Sequence, residues 1–485
     1  MYRAGLLPFL ALACTGLMNA APPAADLAGD WMGTLGSGAE KLRLKLHVTK
    51  TFDGLYIGKL VSIDQGNGET PLGRVLVEGR SVAVEVPLIG GSFKGELSTS
   101  GSSLAGKWTQ DETQPLTFKR SGPAPAQPPK EADPPPPSDA PVDVEVPAPL
   151  IPFRGADGQG HLMYELHITN FSRDELRLKR IEVLGDGGPM ASFEGRELLD
   201  TLTLVGIDMD DARRLGPGLR AVALLSVPLA DGTAPANLRH RLIFARATLD
   251  LAPVAVRATK PIMIGPPLAG SDWLAMNGPG SRSEHRRALL VAGGHVVGPQ
   301  RFAIDWVQLT KADHLGSEPA PKYDSRSRFT GDSKNNKNYR AYGAEVLAVA
   351  DATVTRIKDG IPENTPGEDS SAVPITDDAE LGNYLILDLG GGNYCLYAHL
   401  QPGSLRVKAG DRVKGGQTLG RLGNSGSSTE PHLHFQVMNG TSLLDPEGVP
   451  YLIDSFELLS GPNAGRKTDA LPTENMLVKF GPVIR

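Results

Sequence analysis

At 485 residues the chain has room for about three domains of roughly 150 residues each. Its 40% hydrophobic and 21% charged residues suit folded cores and exclude a disordered polyelectrolyte. Glycine (57) and proline (40) fill one position in five, which disfavours long helices and suits short strands joined by turns, and a formal charge of −6 speaks against nucleic acid as a partner.

Residues 1–21 read as a signal peptide: a basic Met1-Tyr2-Arg3 start, an apolar run from Leu6 to Leu12, and small residues through Ala20-Ala21. The expected location is therefore periplasmic or secreted. A minority alternative makes Cys14, after Ala11-Leu12-Ala13, a lipid-anchored N-terminus. Removal of the leader leaves Cys395 alone, so no intrachain disulfide is expected. No later apolar stretch approaches the roughly 18–20 residues of a membrane span.

The predicted fold class is mostly β and multidomain. Residues 26–120 are expected to form a small all-β module resembling a lipocalin-like barrel. Leu42–Val48 and Ser81–Val86 alternate apolar and polar, and Trp31 and Trp108 are expected in its core. Residues 121–149 carry eleven prolines and predict an extended linker that cannot pair in a sheet. Residues 150–265 alternate again, at Leu162–Asn170, Ala221–Val227 and Leu238–Phe244, and predict an immunoglobulin-like β-sandwich. His161, His167 and His240 fall on or beside these strands and read as structural. A C-terminal domain over 266–460, expected as an antiparallel β-sheet, and a tail over 461–485 complete the chain.

Six of the ten histidines lie in that C-terminal domain. In Pro431-His432-Leu433-His434-Phe435-Gln436-Val437 a strand places both histidines on one face and Leu433, Phe435 and Val437 on the other. Two imidazoles side by side can hold a metal, or one can ligate while its neighbour handles protons. Tyr384–Leu389 and Tyr394–Leu400 form a hairpin through Gly390-Gly391-Gly392-Asn393, ending at His399. Cys395 on that hairpin reads as a buried structural thiol.

The order Ala341-Tyr342-Gly343, Gly382-Asn383-Tyr384, Tyr397-Ala398-His399-Leu400, Gly410-Asp411, Gly423-Asn424-Ser425-Gly426 and His432-Leu433-His434-Phe435 resembles the LytM/lysostaphin-type zinc metallopeptidases. The resemblance covers about residues 295–450. It implies Zn2+ as cofactor, peptidoglycan stem or cross-bridge peptides as substrate, and His434 and Asp305 as metal ligands. It also implies that His399 and His432 are the catalytic, non-ligand histidines. Where the family has its first histidine ligand, four residues before Asp305, this chain has Arg301, whose guanidinium has no lone pair for a metal.

Three readings follow: His285 or His295 supplies the third ligand; Arg301 pairs with Asp305 in a degenerate site; or two ligands and water hold the metal. The leading expectation is a zinc-dependent endopeptidase acting on peptidoglycan. The alternative is a catalytically degenerate module that binds cell wall or activates a partner hydrolase, and a ligand-binding scaffold built on the N-terminal module is a third. Two long polar loops, 316–340 and 360–378, read equally as walls of a substrate groove or as exposed insertions.

Overall fold

The computed structural model describes residues 26–36, 41–65, 67–110, 112–122, 140–207, 209–309, 325–368, 371–376, 379–442 and 446–481. The signal peptide expected over residues 1–21, with Cys14, lies outside them. No helix among the described residues is long and apolar enough to cross a membrane. The chain divides into two units, Met1–Pro128 and Pro129–Arg485.

The first unit is a nine-stranded sheet of antiparallel neighbours. Its strands alternate, so Leu44, Leu46 and Val48 from one and Val82, Val84 and Val86 from another enter a core that includes Trp31, Phe93, Trp108 and Phe118. The lipocalin-like barrel expected is found only as a curled, open sheet. The edge strands Gly68–Pro71 and Val75–Glu78 do not pair with each other, and the sheet curls into a half-barrel. Their short connector bonds outward instead, Leu72 N–H to Gly58 O and Gly73 N–H to Glu85 O, which holds the two ends near each other without a ladder.

The second unit begins with two sheets around one apolar core. Gly160–Asn170, Arg220–Leu229, Leu202–Leu204 and Val142–Glu145 build one; Leu176–Gly185, Gly188–Glu194, Asn237–Phe244 and Thr248–Asp250 build most of the other. This is a coarser result than the immunoglobulin-like sandwich expected. Residues 123–139 of the expected linker lie outside the described residues, but its far end does pair, Val142–Glu145 with Gly160–Asn170. The alternating valines of Val142-Asp143-Val144-Glu145-Val146 override the surrounding prolines, which interrupt pairing only where they occur.

Gly160–Asn170 is buried on both faces. Leu162, Tyr164, Leu166 and Ile168 enter the core of the two sheets, whereas Met163 packs into the core of the C-terminal sheet and Glu165 lies on Met163's face.

The C-terminal sheet has eleven strands: β1 (Ile262–Ile264), β2 (Gly270–Met276), β3 (Ile304–Gln308), β4 (Ala352–Lys358), β5 (Asn383–Gly390), β6 (Asn393–Leu400), β7 (Arg412–Val413), β8 (Leu433–Met438), β9 (Tyr451–Leu458), β10 (Gly465–Ala470) and β11 (Leu477–Phe480). Their order is β1-β9-β11-β2-β3-β8-β6-β5-β4-β7, with β10 on β9. The sheet is mixed rather than antiparallel, because β1 pairs with β9 in parallel. Nor is 461–485 a tail: β11 lies between β9 and β2, and Leu477, Val478 and Phe480 are buried. Ile304, Trp306, Leu385, Leu387, Tyr397, Leu433, Phe435 and Val437 share one core, leaving the alternate positions of β3 and β8 to the opposite face.

Candidate metal centre

Sheet register builds the site. Asp305 on β3 is the direct cross-strand partner of His434 on β8, and His434 in turn faces Ala398 on β6. His434 Nδ1 lies 3.0 Å from Asp305 Oδ1. His432, just before β8, brings Nε2 to 3.5 Å from the same oxygen. His399, near the end of β6, has φ +62°, a left-handed conformation uncommon for a side-chain-bearing residue. Its ring centroid is 4.7 Å from that of His432 and 5.9 Å from that of His434.

The third ligand position is filled from outside these strands. A four-residue helix, Glu284–Arg287, presents His285, whose Nε2 is 3.2 Å from Asp305 Oδ2. The ligand atoms of His285, Asp305 and His434 all lie within 4.8 Å of one another, close enough to share a metal ion. His295 is not part of this group. It is exposed on the small hairpin of Leu290–Ala292 and His295–Val297. Its turn, Gly293-Gly294, carries it into solvent, which corrects that candidate.

Arg301 is buried but is not bonded to Asp305. Its Nε is 2.5 Å from Glu165 Oε2, and its Nη1 is 2.8 Å from Glu447 Oε2 and donates to Gly448 O at 3.1 Å. The expectation of an Arg301–Asp305 pair in a degenerate site is therefore corrected: two other carboxylates neutralise the guanidinium.

Surrounding polar groups fix the imidazoles. A carbonyl oxygen can only accept, so the ring nitrogen bonded to it carries the proton. His285 Nδ1–H donates to Asn277 O at 3.0 Å, His432 Nδ1–H to Glu430 O at 2.9 Å, and His399 Nδ1–H to Ser425 O at 2.8 Å. His434 Nε2 lies 2.9 Å from Gln436 Oε1, and the Gln436 amide nitrogen donates to Met438 Sδ. In neutral His285 the lone pair therefore faces Asp305, on Nε2. Asn277 completes the arrangement by donating from Nδ2 to Asp305 Oδ2 at 2.9 Å.

The site strongly perturbs its ionisable groups. Burial alone would raise the Asp305 carboxyl, but His285 and His432 beside it hold it well below the usual carboxylate range. Burial lowers His285 and His432, yet the Asp305 charge outweighs it and lifts both. Burial, with His432 and His434 close by, pushes His399 well below the ordinary imidazole value. The site thus gathers an anionic carboxylate, two imidazoles drawn toward protonation and one held neutral.

The described parts of the two long loops are tied to the turn that precedes His432. Arg328 pairs with Glu430, Asn424 donates to Asn336 Oδ1 at 2.9 Å, and Asn364 donates to Gly426 O and Ser428 O. Tyr342 donates to Glu363, which accepts the Asn424 N–H. Cys395 is buried in the core, and burial pushes its thiol up to about 12, far from nucleophilic reactivity at neutral pH. Asn277 and Gln436 were not identified from sequence as part of the site. Gln436 sits inside the histidine motif at a same-face spacing that could have exposed it, whereas Asn277 has only an Asn-Gly turn as its signal.

Residues 338–446 match peptidase family M23, a span that contains His399, His432 and His434 and stops short of Asp305 and His285. The chain is 45% identical over 60 residues to the peptidoglycan DD-endopeptidase ShyC of Vibrio cholerae, covering 12% of this chain and 13% of that protein. It is 41% identical over 85 residues to the glycyl-glycine endopeptidase ALE-1 of Staphylococcus capitis, covering 16% and 22%. It is 39% identical over 87 residues to lysostaphin of Staphylococcus simulans, covering 16% and 17%. The chain thus spans less than a quarter of the length of each of these relatives. A C-terminal M23 peptidase-family domain related to LytM/lysostaphin-type endopeptidases is present in this chain.

Proposed function

We propose that this protein is a zinc-dependent endopeptidase that hydrolyses peptide bonds in bacterial peptidoglycan, with His285, Asp305 and His434 as metal ligands. One observation carries the reading. His285 spends its Nδ1–H on Asn277 O and turns Nε2 toward the Asp305 carboxylate, and His434 turns Nδ1 toward the same carboxylate. Two imidazoles and one carboxylate whose ligand atoms all lie within 4.8 Å of one another form a donor set that suits zinc. When bound, zinc would supply Lewis acidity at an open coordination position.

The remaining roles belong to the chain's own side chains. His399, held neutral with its Nδ1–H on Ser425 O, keeps a lone pair on Nε2 to accept a proton from the attacking water. His432, anchored through Glu430 O and drawn toward the protonated form by Asp305, can donate from Nε2 to the oxyanion that develops on the scissile carbonyl. Peptidoglycan as the substrate rests on the relatives, a peptidoglycan DD-endopeptidase and a glycyl-glycine endopeptidase. The reading as a degenerate module depended on Arg301 reaching Asp305, and Arg301 is committed to Glu165 and Glu447.

The test is zinc content and digestion of purified peptidoglycan by the full chain, with released fragments identified by mass spectrometry. About one zinc per chain and new peptide termini that vanish on chelation are expected. Zinc well below stoichiometric, or binding indifferent to His434→Ala, would overturn the metal-centre assignment.

A further inference from the structure

We propose that Glu165, on a strand of the preceding two-sheet module, is a positioning residue for the metal centre, clamping the two segments that carry His285 and Asp305. The inference rests on the metal-centre reading above. Glu165 is buried and uses its two carboxylate oxygens on different segments. Oε1 accepts from Arg286 Nη2 at 3.0 Å and from its Nε at 3.3 Å, and Oε2 accepts from Arg301 Nε at 2.5 Å. Arg286 immediately follows His285, and Arg301 stands four residues before Asp305.

The need for such a clamp follows from the local structure. The helix that presents His285 has four residues, too few to hold its own shape. Arg286 anchors it on the preceding module by donating also to Tyr164 O at 3.0 Å and Leu225 O at 3.2 Å. Arg301 fixes the entry to β3 through Glu447 and Gly448 O. Glu165, Arg286 and Arg301 are buried, and the partly exposed Glu447 supplies the second carboxylate that balances the two guanidinium groups. A metal site tolerates errors of only about 0.5 Å in its ligands. One carboxylate that sets both segments therefore sets the distance between His285 and Asp305. On this account the two-sheet module forms part of the metal centre's support, and Arg301 orients at a place where the related enzymes ligate.

The test uses the full chain, with zinc affinity read by chelator competition and ligand geometry by the visible absorption of the Co2+-substituted protein. Glu165→Gln keeps the side chain's size and one acceptor oxygen but loses the charge. It is expected to weaken zinc binding about 10- to 100-fold and to alter the Co2+ spectrum. Asp211→Asn, which cuts the buried Asp211–Arg213 pair of the same module, controls for general destabilisation and should leave affinity and spectrum unchanged.

If Glu165→Gln does not fold, the charge-free triple substitution of Glu165, Arg286 and Arg301 by Met carries the test. Such replacements often preserve stability while removing the directed bonds. Wild-type affinity and spectrum in Glu165→Gln or the triple variant would overturn the clamp alone. Equal losses in Asp211→Asn would reduce it to a stability effect. Absence of zinc from the wild type would sink the clamp together with the metal-centre reading.

Discussion

Replacing His285 by Ala separates the metal set found here from the arrangement the sequence motif alone suggests. Structural zinc bound by four ligands in small domains is stabilised by about 10–16 kcal/mol, or roughly 3 kcal/mol per ligand. Loss of one ligand should therefore weaken zinc binding by on the order of a hundredfold, each factor of ten being about 1.4 kcal/mol. His285 Nε2 is 3.2 Å from Asp305 Oδ2, whereas His432 Nε2 and His434 Nδ1 approach the other oxygen, Oδ1, at 3.5 and 3.0 Å. Chelator competition at neutral pH measures the change, and His295→Ala, on an exposed hairpin, serves as the matched control with no expected loss. Unchanged zinc affinity in His285→Ala, or a large loss in His295→Ala, would refute the assignment of the third ligand.

Three further outcomes are expected. His399→Ala and His432→Ala should keep zinc near stoichiometry and lower peptide hydrolysis by about 10²- to 10⁴-fold, the usual worth of a positioned proton-transfer group; loss of metal in either would move that residue into the ligand set. Zinc affinity should fall with acidification, because a proton competes for the Nε2 lone pair of His285, which the Asp305 charge draws toward protonation. With that one proton displaced per ion the fall is roughly tenfold per pH unit once the imidazole is protonated in the apoprotein, and a pH-independent affinity would contradict imidazole ligation. Burial pushes His240, whose Nε2 accepts from or donates to Tyr164 OH at 2.7 Å, down to about 4. The unfolded chain takes up that proton near pH 6.5 and the folded one only near 4, so stability is lost as pH falls between these values. The loss is about 3 kcal/mol, read by denaturant unfolding at pH 7 and pH 4, and His240→Gln should abolish that share of the pH dependence.

Much of the fold was readable wherever local alternation decides the outcome. Leu42–Val48, Ser81–Val86, Leu162–Asn170 and the β5–β6 hairpin all appear as strands, because period-two burial needs no long-range information. Parallel pairing of β1 with β9 was not readable, since it joins segments nearly two hundred residues apart with no short turn to announce it. The same holds within the site. His432 and His434 share a face by spacing alone, and Asp305 came from the family motif. His285 and His295 both lie in glycine- and serine-punctuated sequence without a periodic pattern, so sequence left the choice between them open. Tertiary contacts separate them: His285 Nε2 reaches Asp305 and its Nδ1 is held by the carbonyl of Asn277. Glu165 was hidden for the opposite reason. It sits in a strand buried on both faces, where a lone carboxylate reads as an edge or surface residue until its two arginines are seen.

Asn277 shows how a ligand outside the sheet can be placed with the accuracy that sheet register gives Asp305 and His434. It follows β2 with φ +50°, and in that conformation its carbonyl accepts from His285 Nδ1 while its side chain donates to Asp305 Oδ2. The two contributions can be separated. Asn277→Gly keeps the left-handed backbone at no steric cost and removes only the amide, so zinc affinity should fall by about tenfold or less, the value of one hydrogen bond to a charged group. Asn277→Val meets a cost of about 1–3 kcal/mol in that conformation. It should rotate the carbonyl away and free His285, so its affinity should approach that of His285→Ala. The expected order of zinc affinity is wild type, then Asn277→Gly, then Asn277→Val. If Asn277→Gly binds as poorly as Asn277→Val, the side-chain amide rather than the strained backbone turn holds the third ligand in place.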